Sequence, residues 1–177
     1  MILYRDGMVT VSSAHPFSGV TASKDLRPDL DEIDVRLLRE VAAHARTPNN
    51  ALADAAGVAP STAHARLRAQ QDTGVIRGFH ADIDPSRVGR SLQAMICVRM
   101  QGHSRAKLSA YLRGLSGLPG VLNVYLLGGA HDFFIHVAVP DTEALNDFVI
   151  EHLSANPDVA LTETNLIFQH AHAPAFH

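Results

Sequence analysis

Apolar residues recur at helical spacing in the first half of the chain. One such stretch predicts a helix from Leu30 to His44, because four apolar residues fall on a single helical face. Acidic side chains crowd its first turn, where the helix dipole favours negative charge. The residues of the apolar face are Ile33, Leu37, Leu38 and Val41.

Two shorter helices are predicted to follow. Asn49 is a candidate N-cap for a helix that runs through Ala56, with Leu52 and Ala55 facing inward. Gly57 is expected to end this helix in a left-handed conformation, which glycine adopts without steric cost.

A third helix is predicted from Pro60 to about Thr73, where Gly74 stops it. Proline suits the first helical position, because the N–H group it lacks would be unpaired there. Ala59, just before it, offers no side-chain oxygen as a cap. A short helix, a turn that contains glycine and a second helix form the helix-turn-helix arrangement.

The outward side of the third helix carries candidate DNA-binding residues. Ala63 and Leu67 are predicted to point inward, which leaves polar side chains on the outward arc. An α-helix fits the major groove, where short polar side chains reach base edges and arginines reach phosphates or guanine. An ordinary three-helix bundle with a solvated polar face is the alternative. The candidate residues, with one arginine just after the helix, are Ser61, Thr62, His64, Arg66, Arg68, Gln71 and Arg77.

The second half of the chain alternates with a strand period. Residues 75–84 already alternate in part and predict a strand, either a wing or the exit from the helices, and Pro85 to Gly89 predicts a turn at a domain boundary. Beyond it the order strand, helix, strand, strand, helix, strand is the ferredoxin-like βαββαβ arrangement of an α+β protein. Its open sheet face needs a cover, and a second copy of the same sheet is the usual one. The predicted strands are 92–100, 121–127, 133–139 and 159–168, and the predicted helices are 104–115 and 142–155.

Charge supports DNA binding only locally. The chain has 177 residues and a formal net charge of −3, which excludes a uniformly basic nucleic-acid coat. Within residues 58–78, however, Arg66, Arg68 and Arg77 outnumber the single acid, Asp72. Phosphate contacts depend on local charge, so a small basic surface is sufficient to bind DNA.

Composition excludes several classes of protein. Hydrophobic residues make up 46% of the chain, yet no apolar run is long enough to span a membrane, so a cytoplasmic protein is expected. The single cysteine, Cys97, excludes an intramolecular disulfide and a multi-cysteine metal site. His170 and His172 have a metal-binding spacing, but a solvated tail is the preferred interpretation and no metal is expected.

These patterns divide the chain into five segments. We expect a flexible extension, a helix-turn-helix domain, a strand with its linker, a ferredoxin-like domain for effector binding and oligomerisation, and a tail. In order, the segments are residues 1–29, 30–74, 75–90, 91–170 and 171–177.

Three stretches of the sequence resemble the Lrp/AsnC family of bacterial and archaeal transcription regulators. The first resembles the opening helix of the family, the second its recognition helix and exit strand, and the third a Gly…Asp signature in the hairpin turn of its effector domain. They are LDEID at 30–34; 52–62 with Arg66-Leu67 and GVIRGF at 74–79; and PGV at 119–121 with GAHDF at 129–133.

The resemblance implies a sequence-specific DNA-binding regulator that associates with the nucleoid. Family members dimerise through their sheets, and dimers assemble further into octamers. Small effectors, most often amino acids, bind between subunits near the Gly…Asp turn, and no other cofactor is expected. A carboxylate beside exposed backbone N–H groups suits a zwitterion. Two glycines that make a hairpin, with an aspartate capping it, are the alternative for the turn. By resemblance, the effector-site positions are Gly128, Gly129, Asp132, Thr162 and Thr164.

Some positions depart from the family pattern. Gln70 lies on the inward row of the third helix where leucine is usual, and Ala65 stands where a basic residue is common. Ala130 and His131 stand where an acidic and an aromatic residue are commoner in the family, so the effector is expected to differ from that of other members.

Two other functions have the same architecture. Sirohaem decarboxylases look similar, and the candidates for such chemistry here are His131, His136 and Arg99. A ligand-binding module without DNA activity is the other alternative, and it would tolerate replacement of Arg66 and Arg68. The polar arc of the third helix favours the DNA reader over both, because neither alternative requires it.

Overall fold

The computed structural model describes residues 29–171. Residues 1–28 of the predicted extension (1–29) and residues 172–177 of the predicted tail (171–177), which include His172, lie outside these described residues. Nine helices and strands of regular geometry follow one another in the described chain. They are α1 (Glu32–Ala43), α2 (Asn49–Ala56), α3 (Pro60–Asp72), β1 (Leu92–Met100), α4 (Leu108–Ser116), β2 (Val121–Leu126), β3 (Phe133–Val139), α5 (Thr142–Val149) and β4 (Val159–Ile167).

The first three helices form around a small apolar core. Leu37 of α1 is fully buried, and it packs with Leu52, Ala53, Ala56 and Ala63 from the other two helices. Gly57 ends α2 with φ +72°, the left-handed cap expected of it. This core fixes α3 against α1 and α2 and leaves its other side to solvent.

Two details of α2 were predicted wrongly. Pro48 is the N-cap and Asn49 is the first helical residue, so the Asn49 side chain instead donates to the Pro60 carbonyl oxygen at 2.8 Å. Ala55 is exposed, because Leu52, Ala53 and Ala56 form the inward face.

The predicted strand at 75–84 is absent from the described chain. A strand needs a hydrogen-bonded neighbour, and within residues 29–171 none pairs with this segment. It is extended and leads to a short 3₁₀ turn at Pro85–Val88, and its apolar side chains Phe79 and Ile83 are exposed. The helix-turn-helix therefore has no wing within these residues.

The second half confirms the α+β, ferredoxin-like fold. Its four strands form an antiparallel sheet in the order β2-β3-β1-β4. The predicted helices are present but shorter, since a 3₁₀ segment at Gly102–Lys107 precedes α4 and a π-helical turn at Ile150–Ser154 continues α5.

The two faces of this sheet differ. The inner face packs against α4 and α5, and its residues Ile96, Val98, Phe133, Ile135 and Val137 are almost completely buried. The strand register places the intervening residues on the opposite face, which no described helix covers. We call this the open face. None of the described helices is long and apolar enough to cross a membrane.

Candidate DNA interface and effector site

The outward arc of α3 lies where the helical pattern predicts it. Ser61, Thr62, His64, Arg68 and Gln71 are all exposed on one side of the helix. Ala63 is fully buried on the other side, and Leu67 packs against the helical core. Pro60 occupies the first helical position and Ala59 the N-cap. The arc thus combines short polar side chains near the helix start with a cation further along, which is the arrangement that a major-groove helix needs.

Arg66 is not part of this arc. Its Nη1 lies 2.7 Å from Asp31 Oδ2 and 3.1 Å from Asp34 Oδ1, so the guanidinium is turned towards the first turn of α1. The hydrogen bond to Asp31 is the main cause that raises the pKa of Arg66. The prediction that Arg66 points to DNA is therefore corrected: the side chain joins α3 to α1.

Gln70 completes this contact one turn further along α3. It is 3% exposed, and its Nε2 donates to Asp34 Oδ1 at 2.9 Å. Its Oε1 is buried without a hydrogen-bond partner among the described residues. The inward position of Gln70 agrees with its place on the helical wheel. We call Asp31, Asp34, Arg66 and Gln70 the α1–α3 polar cluster.

Arg77 lies beyond α3 in the extended segment and is exposed. Arg77 follows the end of α3, at Asp72, by only a few residues, so it lies close to the arc along the chain. The Arg77 side chain is therefore accessible from solvent.

The turn between β2 and β3 brings the predicted effector residues together only in part. Gly128 and Gly129 are exposed, and a Cβ atom at either would meet nothing within 4 Å. Asp132 is instead 6% exposed, and its Oδ2 accepts a hydrogen bond from the Met100 N–H at 2.8 Å. Its own N–H donates to the Val98 carbonyl oxygen at 2.8 Å. The Asp132 carboxylate thus joins the hairpin to the end of β1.

Thr162 and Thr164 lie two strands away from this turn. Thr162 pairs with Val98 and Thr164 with Ile96, so both side chains lie on the same sheet face as α4 and α5. Thr162 is half-buried and Thr164 is exposed at the sheet edge. The described chain alone does not bring them to the turn.

The open face carries an apolar surface with a histidine. Tyr125 is 49% exposed and Leu161 is 46% exposed, and Phe134 lies beside Tyr125 in the strand register. His136 Nε2 lies 3.0 Å from Gln93 Oε1, and burial lowers the pKa of this histidine. This exposed apolar area on a sheet is typical of a surface that another chain covers.

The residues considered for catalysis have other contacts. The His131 ring lies 5.9 Å from the Phe134 ring, and His136 is bonded to Gln93. Arg99 is exposed on β1. Cys97 is buried, and burial raises the pKa of its thiol. Within residues 29–171 no three His, Cys, Asp or Glu side chains form a group that could hold a metal ion.

A cavity of about 620 Å³ lies between α4 and the π-helical turn, and the sequence analysis did not find it. Small residues on facing helices, Ala110, Gly114 and Ala155, leave this space open. At one end, hydrogen bonds from Ser104 and Tyr111 lower the pKa of Asp158 to about 2. The spacing of the small residues Ala110 and Gly114 on α4 was the sequence pattern that could have indicated this cavity. None of the predicted effector residues lines this cavity.

Comparison with known proteins finds two family models that match this chain. An AsnC-type helix-turn-helix domain matches residues 30–69, and an Lrp/AsnC ligand binding domain matches residues 93–172. The HTH-type transcriptional regulator AldR of Mycobacterium tuberculosis is 49% identical over 99% of this chain and 98% of its own length. The leucine-responsive regulatory protein of Rhizobium meliloti is 32% identical over 80% of this chain and 90% of its own length.

Solved structures show the same architecture. The crystal structure of MtbAldR superposes with a TM-score of 0.74, at 46% identity over 84% of this chain and 99% of that one. A transcriptional regulator of Neisseria meningitidis in complex with L-Met also gives a TM-score of 0.74, at 25% identity over 82% of this chain and 94% of that one.

Proposed function

The chain belongs to the Lrp/AsnC family of transcriptional regulators, and we propose that the outward arc of α3 is the surface with which this regulator reads DNA. The chain is a DNA-binding regulator and not a sirohaem-decarboxylase-like enzyme, since its relatives are named transcriptional regulators. The observation that carries the proposal is the exposure of Ser61, Thr62, His64, Arg68 and Gln71 on one side of a helix whose other side is packed. Arg66 is not among the proposed contacts, because it pairs with Asp31 and Asp34.

The chemistry of the arc assigns different tasks to its members. Ser61 and Thr62 lie in the first turn of α3, where short hydroxyl side chains bring the backbone close to base edges. Arg68 lies nearly two turns further on, where its long cationic side chain reaches a phosphate. Arg77 is proposed as a second phosphate contact beyond the helix.

Replacing Arg68 with alanine is expected to weaken binding to all duplexes alike. The substitution removes one phosphate contact, so the slope of log affinity against log salt should become shallower by about 1. Fluorescence anisotropy over a salt series measures both quantities. Arg113→Ala is the matched control, because it removes an exposed arginine from α4 and should change neither. An unchanged salt slope in Arg68→Ala would contradict the assignment.

The functional unit is proposed to be a dimer formed through the open face. Tyr125, Phe134 and Leu161 place exposed or half-buried apolar side chains on this face, from one edge strand to the other, and the twofold pairing of two sheets would bury them. A dimer presents two copies of α3 to half-sites that are one or more helical turns apart. Assembly of dimers into octamers, as in other family members, is a further part of the proposal.

The family domain implies a small-molecule effector, and we propose an amino acid bound between subunits at the Gly128–Gly129 turn. The relative from Neisseria meningitidis in complex with L-Met supports this class of ligand. Because both glycines are exposed in the single chain, a neighbouring subunit has to close such a site. Thr162 and Thr164 are proposed to contribute to this effector site only from a neighbouring subunit.

A regulator of this kind acts at the chromosome, so a cytoplasmic location at the nucleoid belongs to the same proposal.

The two candidate places for the effector are distinguishable by one pair of variants. Gly129→Leu places a side chain on the exposed turn, where the φ of Gly129 is not positive and no atom of the chain obstructs it. We expect this variant to bind DNA but to lose its response to amino acids. Gly114→Leu narrows the cavity beside α4 and should keep the response. The measurement is the anisotropy of a DNA complex titrated with a panel of amino acids. The reverse pattern would place the effector in the cavity.

A further inference from the structure

The recognition helix is held against α1 by polar contacts as well as by the apolar core. Of the residues of α3, only Ala63 and Gln70 are buried, and Leu67 is partly buried. Gln70 and Arg66, one turn apart, both turn towards the first turn of α1. The orientation of α3 therefore depends on the α1–α3 polar cluster in addition to the apolar core.

The acidic half of the cluster is held in place by hydrogen bonds within α1. Asp31 caps α1 by accepting from the Asp34 N–H at 2.9 Å, and Asp34 Oδ2 accepts from the Asp31 N–H at 3.3 Å. This reciprocal capping box leaves Asp31 Oδ2 and Asp34 Oδ1 to receive Arg66. Asp34 Oδ1 also receives Gln70. The two acids of the cluster thus present carboxylate oxygens to two side chains of α3, Arg66 and Gln70.

The positive charge of Arg66 is paired with carboxylates of the same chain. Its guanidinium contacts two carboxylates, and its side chain is only 31% exposed. Thr62 of the arc lies one helical turn before Arg66 on α3. The arc and the α3 residues of the cluster therefore belong to one rigid helix. A released Arg66 would instead add a cation beside the DNA-facing residues.

We infer that the α1–α3 polar cluster is a specificity device: it withholds the Arg66 charge from the DNA backbone and holds the outward arc of α3 at a fixed angle. This inference rests on the proposed function, since it assigns positioning residues to the proposed reading surface. Arg66 and Gln70 position the arc, and the acids of α1 keep Arg66 from binding phosphate without regard to sequence. The cluster favours discrimination between sequences over total affinity.

Asp31→Asn is the most informative variant. Asparagine keeps the oxygen that caps α1, but it removes the charge that pairs with Arg66. We expect affinity for a scrambled duplex to rise several-fold and the salt slope to steepen by up to about 1, because Arg66 then keeps only one carboxylate partner, Asp34. The ratio of specific to scrambled affinity should fall.

Arg66→Gln tests the same inference from the other side. A positioning residue should lower affinity for the specific duplex by about tenfold, while affinity for the scrambled duplex and the salt slope stay unchanged. A phosphate contact would lower both affinities and make the slope shallower by about 1. Arg66→Lys keeps the charge but cannot contact both carboxylates with one planar group, so specificity should fall here too.

The experiment uses the full chain and a duplex that the wild-type protein selects from a random-sequence pool. Failure of the wild type to select any duplex would contradict the proposed function itself. Selection by the wild type, followed by parallel losses on both duplexes in Arg66→Gln or by unchanged scrambled affinity in Asp31→Asn, would overturn the inference alone. Urea denaturation of each variant checks that α3 remains folded. If Arg66→Gln is unfolded, Asp31→Asn and Arg66→Lys give the decision.

Discussion

Gly120→Ala is expected to lower the free energy of unfolding of the sheet domain by about 2 kcal/mol. Gly120 has φ +87°, a left-handed conformation that strains a residue with a side chain. A Cβ atom there would also lie 3.0 Å from the Ala138 carbonyl oxygen. The backbone cannot move away easily, because the Ala138 N–H donates to the Gly120 carbonyl oxygen at 2.8 Å. Urea denaturation followed by far-UV circular dichroism at one protein concentration measures the change.

Gly129→Ala is the matched control for this prediction. Its φ is not positive and its surroundings are open, so its stability should remain within about 0.5 kcal/mol of the wild type. Equal stability of the two variants would contradict the role assigned to Gly120, which is to let β2 start close to β3.

Asp132→Ala is expected to lower the free energy of unfolding by about 1–3 kcal/mol. The substitution removes the acceptor of the Met100 N–H, a bond that lies in a buried environment. An unpaired buried donor carries its full desolvation cost, and the hairpin loses its side-chain connection to β1. The same denaturation experiment measures this loss.

Asp132→Asn separates this structural role from a role in effector binding. Asparagine retains an oxygen that can accept from the Met100 N–H, so stability should be largely restored. The lost negative charge then tests whether the carboxylate contributes to amino-acid recognition. Wild-type stability in Asp132→Ala would show that the carboxylate does not fasten the hairpin.

Local periodicity was sufficient to predict most of the fold. Leu37 and Leu38 lie inward because the apolar positions of α1 recur at helical spacing, and both are buried. In β1 the positions Ala94, Ile96 and Val98 alternate with the intervening residues and are predicted to share one face, and the structure confirms that all three pack on the side of α4 and α5. These elements follow from patterns within one segment, so the sequence alone contains the necessary information.

The wrong predictions concern contacts with distant partners. Arg66 was predicted to face DNA, but its partners Asp31 and Asp34 lie more than thirty positions earlier, and only packing of α1 against α3 brings them together. Asn49 is a residue type that often caps helices, yet its side chain donates to the Pro60 carbonyl oxygen at the start of α3. The segment 75–84 alternates like a strand, but alternation does not supply a hydrogen-bonding neighbour.

The two candidate sites differed in how well they could be predicted. The DNA-facing arc belongs to one helix, so the helical wheel determines its direction. The effector positions were inferred from a resemblance, and they lie on a turn and an edge strand that the single chain does not bring together. Asp132 was assigned to the effector site by resemblance, whereas in the described chain its carboxylate accepts a hydrogen bond from the backbone of β1.

The most direct test of the central claim is the anisotropy of the wild-type protein on duplex DNA from upstream of its own gene. The titration is run across a salt series, with and without a panel of amino acids. We expect tight, salt-dependent binding that exceeds binding to a scrambled duplex and that shifts with one amino acid. Equal affinity for native and scrambled duplexes from this and neighbouring promoters, with no response to any amino acid, would contradict the account.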